Sequence, residues 1–174
     1  MRRVFALVGL SVLLVAPAAF GAAPAAHVYR IARVVDGDTV ALTNGARVRL
    51  VQIDTPEVYF GAECWGHEAS AETKKLLPPG TVVRLAREPA TNSVDRYGRL
   101  LRYVVRVRGA LNVNVFLVRH GDAAPYFYAG RQGRYAGVLK RAALRARARH
   151  RGLWGACRHT PVDFYRGVET GPAT

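Results

Sequence analysis

The chain carries 26 Lys+Arg against 12 Asp+Glu over 174 residues, a formal charge of +14 and a pI near 10.8. Half of its residues are hydrophobic, enough to bury one compact core, which excludes wholesale disorder in spite of the charge. The charge makes a polyanion the natural partner, and no internal repeat is visible.

The first element is a leader. Met1-Arg2-Arg3 precedes the uncharged apolar run Val4 to Val15, and Ala/Gly/Pro-rich sequence follows to Ala26, the order of a secretory signal. Residues 1–23 are read as that signal, with cleavage after Gly21, Ala23 or Ala25 left open. The apolar run is short of the ~20 residues a bilayer span needs, which argues against an uncleaved anchor. Cleavage takes Arg2 and Arg3 from +14 and leaves +12 on one domain, residues 27–158, followed by a C-terminal tail, 159–174. The reading is export to the periplasm or medium, no stable membrane association afterwards, and a monomer.

From Val28 to Ile53 apolar or β-branched residues alternate with polar ones, and Asn44-Gly45 interrupts them with a strong hairpin signal. A two-residue turn there sets Asp38 opposite Val51, on the sheet face of Arg49. Asp54 then lies about 10 Å further along the strand, on the wrong face, so a bulge or strand end is expected after Ile53. His67 to Leu77 reads as a helix stopped by Pro78-Pro79-Gly80. Strands follow over Thr81 to Arg87 and Leu100 to Val107, separated by the loop Asp95-Arg96-Tyr97-Gly98-Arg99. Asn112 opens a short helix that His120-Gly121 stops, Ala123 to Tyr128 reads as a last strand, and a basic helix runs from about Arg134 to His150 before Gly152 and Trp154. Five strands interleaved with helices suggest a small barrel, an α+β fold that is mainly β.

Two acidic stretches stand out: Asp36-Gly37-Asp38-Thr39, and Arg49 leading into Asp54-Thr55-Pro56-Glu57. Singly, the first is an ordinary turn and the second a helix start capped by Thr55. Together with the charge they describe a metal-assisted site for cleaving phosphodiesters. The histidines His67, His120, His150 and His159 show no ligand spacing. In an exported protein Cys64 and Cys157 read as a disulfide, with two separate buried thiols as the alternative.

The order DGDT, RLVQIDTPE, DRYGR, NVFLVRHG, YFY and a basic helix ending in GLWG resembles the staphylococcal nuclease (thermonuclease) family over nearly the whole mature chain. The resemblance implies an OB-type five-stranded Greek-key barrel with three helices and Ca²⁺-dependent endonucleolytic cleavage of DNA and RNA to 3′-phosphate ends. It assigns Asp38, Asp54 and the Thr55 carbonyl to calcium, Glu57 to the general base, and Arg49 and Arg99 to the reacting phosphate. Tyr126 and Tyr128 match the tyrosines that flank the nucleotide, after a one-residue gap behind Gly121, and Arg96 joins the substrate-binding set. Cys64 and Cys157 depart from the best-known member. Two other readings stay in view: a non-catalytic nucleic-acid-binding module on the same barrel, and a cationic exported protein acting on anionic membranes or cell-wall polymers.

Overall fold

The computed structural model describes residues 27–59, 61–158, 160 and 163–173; the expected leader and His159 lie outside them. Strands β1 (Tyr29–Val34), β2 (Thr39–Leu42), β3 (Arg47–Leu50), β5 (Val82–Arg87) and β6 (Leu100–Arg106) close a barrel in the order β1-β2-β3-β6-β5, with β3 and β6 parallel and the other pairs antiparallel. This mixed barrel with its helices is the OB-type architecture expected. The pattern of alternating residues works as the pleat requires: Ile31, Val40, Leu42, Val48, Leu50, Val83 and Val104 are buried, each fully buried aliphatic stabilising the fold by about 1.5 to 3 kcal/mol.

Helix α1 (Gly66–Leu76) follows the acidic loop, and α2 (Val113–His120) starts where expected, with the Asn112 side chain accepting from the Val115 amide at 3.2 Å. Helix α3 (Ala136–Ala148) packs on α2 through Leu139, Ala142, Ala143 and Ala146. A one-turn helix, α4 (Leu153–Ala156), buries Trp154 where the sequence reading placed only an ending.

Three expectations are corrected. Thr39 pairs with Arg49 and Val40 with Val48, one residue out of the register of a two-residue turn. The turn holds three residues, Thr43-Asn44-Gly45, because Gly45 takes a left-handed φ of 86° and Leu42 bonds across to Ala46. Asp38 therefore falls opposite Leu50, just outside β2, and reaches Arg49 from a bend rather than from the pleat. The break also comes before Ile53, not after it: Val51-Gln52 turns, with Gln52 at φ 65°. The Gln52 side chain holds that strained backbone, donating to the Arg131 carbonyl (2.6 Å) and accepting from the Gly133 amide (2.7 Å). Finally, the expected strand at Ala123 to Tyr128 reduces to β7 (Ala124–Pro125), paired with β4 (Ile53–Asp54); Tyr128 begins a short 3₁₀ turn.

Cys64 and Cys157 form a disulfide across 93 residues. Beyond it the C-terminal segment comes back over the barrel. The Phe127 amide donates to the Phe164 carbonyl (2.7 Å), Cys64 exchanges bonds with Gly171 (2.8 Å) and Thr170 (2.7 Å), and the Ala173 amide donates to the Ala62 carbonyl (2.9 Å).

Candidate active site

The site is built on two bends and a turn. In the first bend, Asp36 accepts from the Asp38 amide (3.1 Å), and the Gly37 carbonyl accepts from the buried Thr73 hydroxyl of α1 (2.6 Å). A side chain at Gly37 would overlap Thr55, so glycine is what lets the Asp36–Asp38 bend lie against the second acidic stretch. Asp38 is buried there, accepting from the Thr55 amide and from the Thr39 hydroxyl, each at 3.2 Å.

Arg49 joins the two acidic stretches. Its guanidinium pairs with Asp38 through one amino group and with Asp54 through the other. The turn at Val51-Gln52 is what makes this possible, since it swings Asp54 back toward Arg49 when an unbroken strand would point them apart. The second carboxylate oxygen of Asp54 accepts from the Val168 amide at 2.8 Å.

In the turn Asp95–Arg99, Asp95 accepts from the amides of Tyr97 and Arg99, both at 2.9 Å, and from Nε of Arg99 at 2.6 Å. Burial works to raise the Asp95 pKa, but these bonds and the Arg99 charge bring it below the ordinary carboxylate value. So anchored, Arg99 donates to the Thr39 hydroxyl (3.3 Å), one bond away from Asp38. It also sits over the Tyr97 ring at 5.3 Å, and Arg96 sits over the same ring at 4.8 Å.

These groups face a cavity of about 380 Å³ whose walls include Arg49, Arg96, Tyr97, Arg99, Tyr126 and Tyr128. Tyr126 and Tyr128 stand edge to face, centroids 6.3 Å apart, with Tyr128 exposed. Burial, then Asp54 and Tyr128, push the Tyr126 phenol up, so it keeps its proton as a hydrogen-bond donor. Tyr97 was missed as a site residue because a tyrosine in a Tyr-Gly turn reads as solvated. Val168 gave no signal at all: a backbone amide is the same in every residue but proline.

Glu57 is exposed, and its amide donates to Glu63 at 2.9 Å. Partial burial, then Asp54 and Asp36, raise its pKa above the ordinary glutamate value, and burial likewise raises Asp36 against the opposing Arg49. Burial is the leading cause of both shifts, and neighbouring acids add to it at Glu57 alone. Among the described residues no three His, Cys, Asp or Glu side chains converge as a metal cage. What the chain offers a hard cation is the pair Asp38 and Asp54, already converging on the positive charge of Arg49, beside the backbone of Thr55. That oxygen-only set fits Ca²⁺ with waters completing the shell.

The structure thus collects Arg49, Arg96, Arg99, Tyr126 and Tyr128 on one cavity. Asp38 and Asp54 stand paired to Arg49, and Glu57 lies within the electrostatic reach of Asp54 and Arg49. No curated protein matches the chain. A family model described as "Staphylococcal nuclease homologue" matches residues 47–156, taking in Arg49, Asp54, Glu57, Arg99 and both tyrosines while starting after the Asp36–Thr39 bend. On that match and the closed mixed barrel, the chain belongs to the staphylococcal nuclease homologue family, a family of nuclease and nucleic-acid-binding domains.

Proposed function

We propose that this protein is an exported Ca²⁺-dependent endonuclease that hydrolyses DNA and RNA to 3′-phosphate ends, acting as a monomer without membrane retention once its leader is removed. The observation that carries the reading is Arg49 suspended between Asp38 and Asp54 at the wall of a cavity shared with Arg99 and two tyrosines. Among the described residues no helix is long and apolar enough to cross a membrane.

In this reading the tyrosines flank the nucleotide and Arg96 adds charge at the mouth of the cavity. Arg49 and Arg99 grip the reacting phosphate, each planar fork matching two of its oxygens. Asp38, Asp54 and the Thr55 carbonyl would hold the calcium, which when bound would supply charge neutralisation and Lewis-acid chemistry toward the phosphate. Glu57 takes a proton from the attacking water as its oxygen bonds to phosphorus; the P–O5′ bond breaks, and the 5′-oxygen leaves with a proton from solvent. Arg49 supplies the counter-charge to the two acids and would offer its guanidinium to the phosphate.

The test is degradation of heat-denatured DNA by the purified mature protein with Ca²⁺, with Mg²⁺ and with a chelator, beside Glu57→Gln. Loss of cleavage in chelator, and a Glu57→Gln protein that binds DNA but turns over at least ~10²-fold more slowly, are expected. Cleavage that persists in chelator sinks the reading. Binding without cleavage under every condition leaves a non-catalytic module.

A further inference from the structure

A second basic concavity lies between α2 and α3, sharing no residue with the catalytic cavity. It encloses about 270 Å³ and is walled by Arg119, Arg141, Arg145, Arg149 and Arg151. Part of this has a local explanation. Arg119 and Arg145 sit in the last turns of their helices and Arg149 caps α3, where the macrodipole favours a cation by about 0.3 to 1 kcal/mol. The dipole does not explain why the side chains converge, nor Arg141 near the middle of α3.

Other features of the groove cost the helix stability. The pairs Arg141/Arg145 and Arg145/Arg149 are like charges four residues apart, each unfavourable by about 0.2 to 0.5 kcal/mol. Among the described residues, none of the five guanidiniums forms an ion pair with a carboxylate. Gly137 occupies the first turn of α3, where alanine would favour the helix by up to ~1 kcal/mol. A Cβ there would stand 3.2 Å from an Arg141 amino group, so an alanine would make that guanidinium shift by a few tenths of an ångström. Like charges at helical spacing and, among the described residues, no carboxylate partner are features that a bound anion would offset.

We infer that this groove is a second binding site, for the sugar-phosphate backbone of the strand whose target ester lies in the catalytic cavity; that identity of the strand rests on the nuclease reading above. Arg141, Arg145 and Arg149 recur every four residues, a step of about 6 Å. The row of about 12 Å spans roughly three to four phosphates at the ~3.4 Å axial spacing of one stacked strand. Arg131 lines the catalytic cavity, and the chain passes from it through a short loop into α3, which packs on β7 next to Tyr126. The groove and the cavity are therefore linked along the chain by the segment from Arg131 to Arg141. A lipid surface fits less well, because interfacial helices present bulky apolar residues, and the large hydrophobics that α3 exposes among the described residues are Val138 and Leu144.

The test compares two triple variants of the full mature chain in a Glu57→Gln background: Arg141→Gln/Arg145→Gln/Arg149→Gln in the groove, and Arg33→Gln/Arg47→Gln/Arg84→Gln on exposed barrel positions, which removes the same charge elsewhere. Binding of a long single-stranded oligonucleotide is followed by fluorescence anisotropy over a salt series. The groove variant is expected to lose about tenfold or more in affinity at low salt and to flatten the log K against log salt slope by about 2, at ~0.7 per phosphate contact. The barrel variant is expected to change the slope by less than half as much. With Glu57 restored, the groove variant should cleave a dinucleotide-length ester at the wild-type kcat/KM.

An unchanged slope, or an equal change in both variants, overturns the groove. So does an unchanged oligonucleotide affinity with lost binding to anionic phosphatidylglycerol vesicles, which would make it a lipid site. If the wild type cleaves nothing, the enzymatic reading fails, while a groove-specific slope change still stands as evidence for the backbone site.

Discussion

The backbone amide of Val168 donates to Asp54 at 2.8 Å, joining positions 114 residues apart. Asp54 is thereby held at both oxygens, by Arg49 on one side and by the returning C-terminal segment on the other. Groups that orient a metal-binding carboxylate typically change affinity 10- to 100-fold when lost. Val168→Pro, which removes the donor along with a buried side chain, is expected to weaken Ca²⁺ binding about tenfold by calorimetry. Gly167→Ala should act in the same direction, since its Cβ would crowd Asp54 at 2.7 Å in a backbone already at φ 86°. Unaltered calcium affinity in both variants would remove the segment from the site.

Arg49 is the counter-ion of two acids, with its side chain largely buried. Removing one partner from such a group leaves uncompensated charge and destabilises by about 3 kcal/mol. Arg49→Ala should therefore melt well below wild type in chelator and recover more than wild type on adding calcium. Its turnover should fall by about 10² to 10³ from the lost phosphate contact. Thermal scans with and without the ion separate the two effects, and equal calcium-induced shifts would contradict them.

Glu88 is buried, and it ties the end of β5 to the start of α3. It accepts from the amides of Arg134 (2.8 Å) and Ala90 (3.1 Å) and from the Tyr103 hydroxyl (3.3 Å). Burial opposes its charge, but these bonds and the Arg134 guanidinium bring its pKa below the ordinary 4.5. A carboxyl depressed in the folded state adds stability that is complete above its unfolded pKa and is lost as pH falls through the folded one. Glu88→Gln should cost about 2 kcal/mol at neutral pH, and urea midpoints of variant and wild type should draw together below pH 4.5. A gap that stays constant with pH would show that the charge is not the source.

The Cys64–Cys157 bridge closes 93 residues, worth about 4 to 5 kcal/mol in the loop-entropy view. Cys64 also bonds to Gly171 and Thr170, so the bridge fixes the landing point of the C-terminal segment. Reduction is expected to lower Tm by roughly 10 °C and to open the segment to limited proteolysis. The Cys64→Ser/Cys157→Ser variant should reproduce both. Protection of the segment after complete reduction would mean its own hydrogen bonds suffice.

The sequence by itself determined what local chemistry encodes. Alternation of apolar residues marked the barrel strands, Asn112 and Gly121 bounded α2, and the ordered motifs around Asp38, Arg49, Asp54 and Arg99 identified the fold and nominated the site. Those signals are legible because they lie within a few residues of one another and answer to backbone geometry and periodicity. The tertiary structure decided the rest. A left-handed Gly45 moved the hairpin register by one residue, and the Gln52 turn brought Asp54 to the same guanidinium as Asp38. Tyr97 became a cavity wall by lying under Arg99, and a tail with no motif placed an amide on Asp54. The Gln52 turn and the Asp54 amide depend on contacts between distant segments, and the Gly45 turn and the Tyr97 stack on a local conformation; none leaves a periodic trace in the order of side chains.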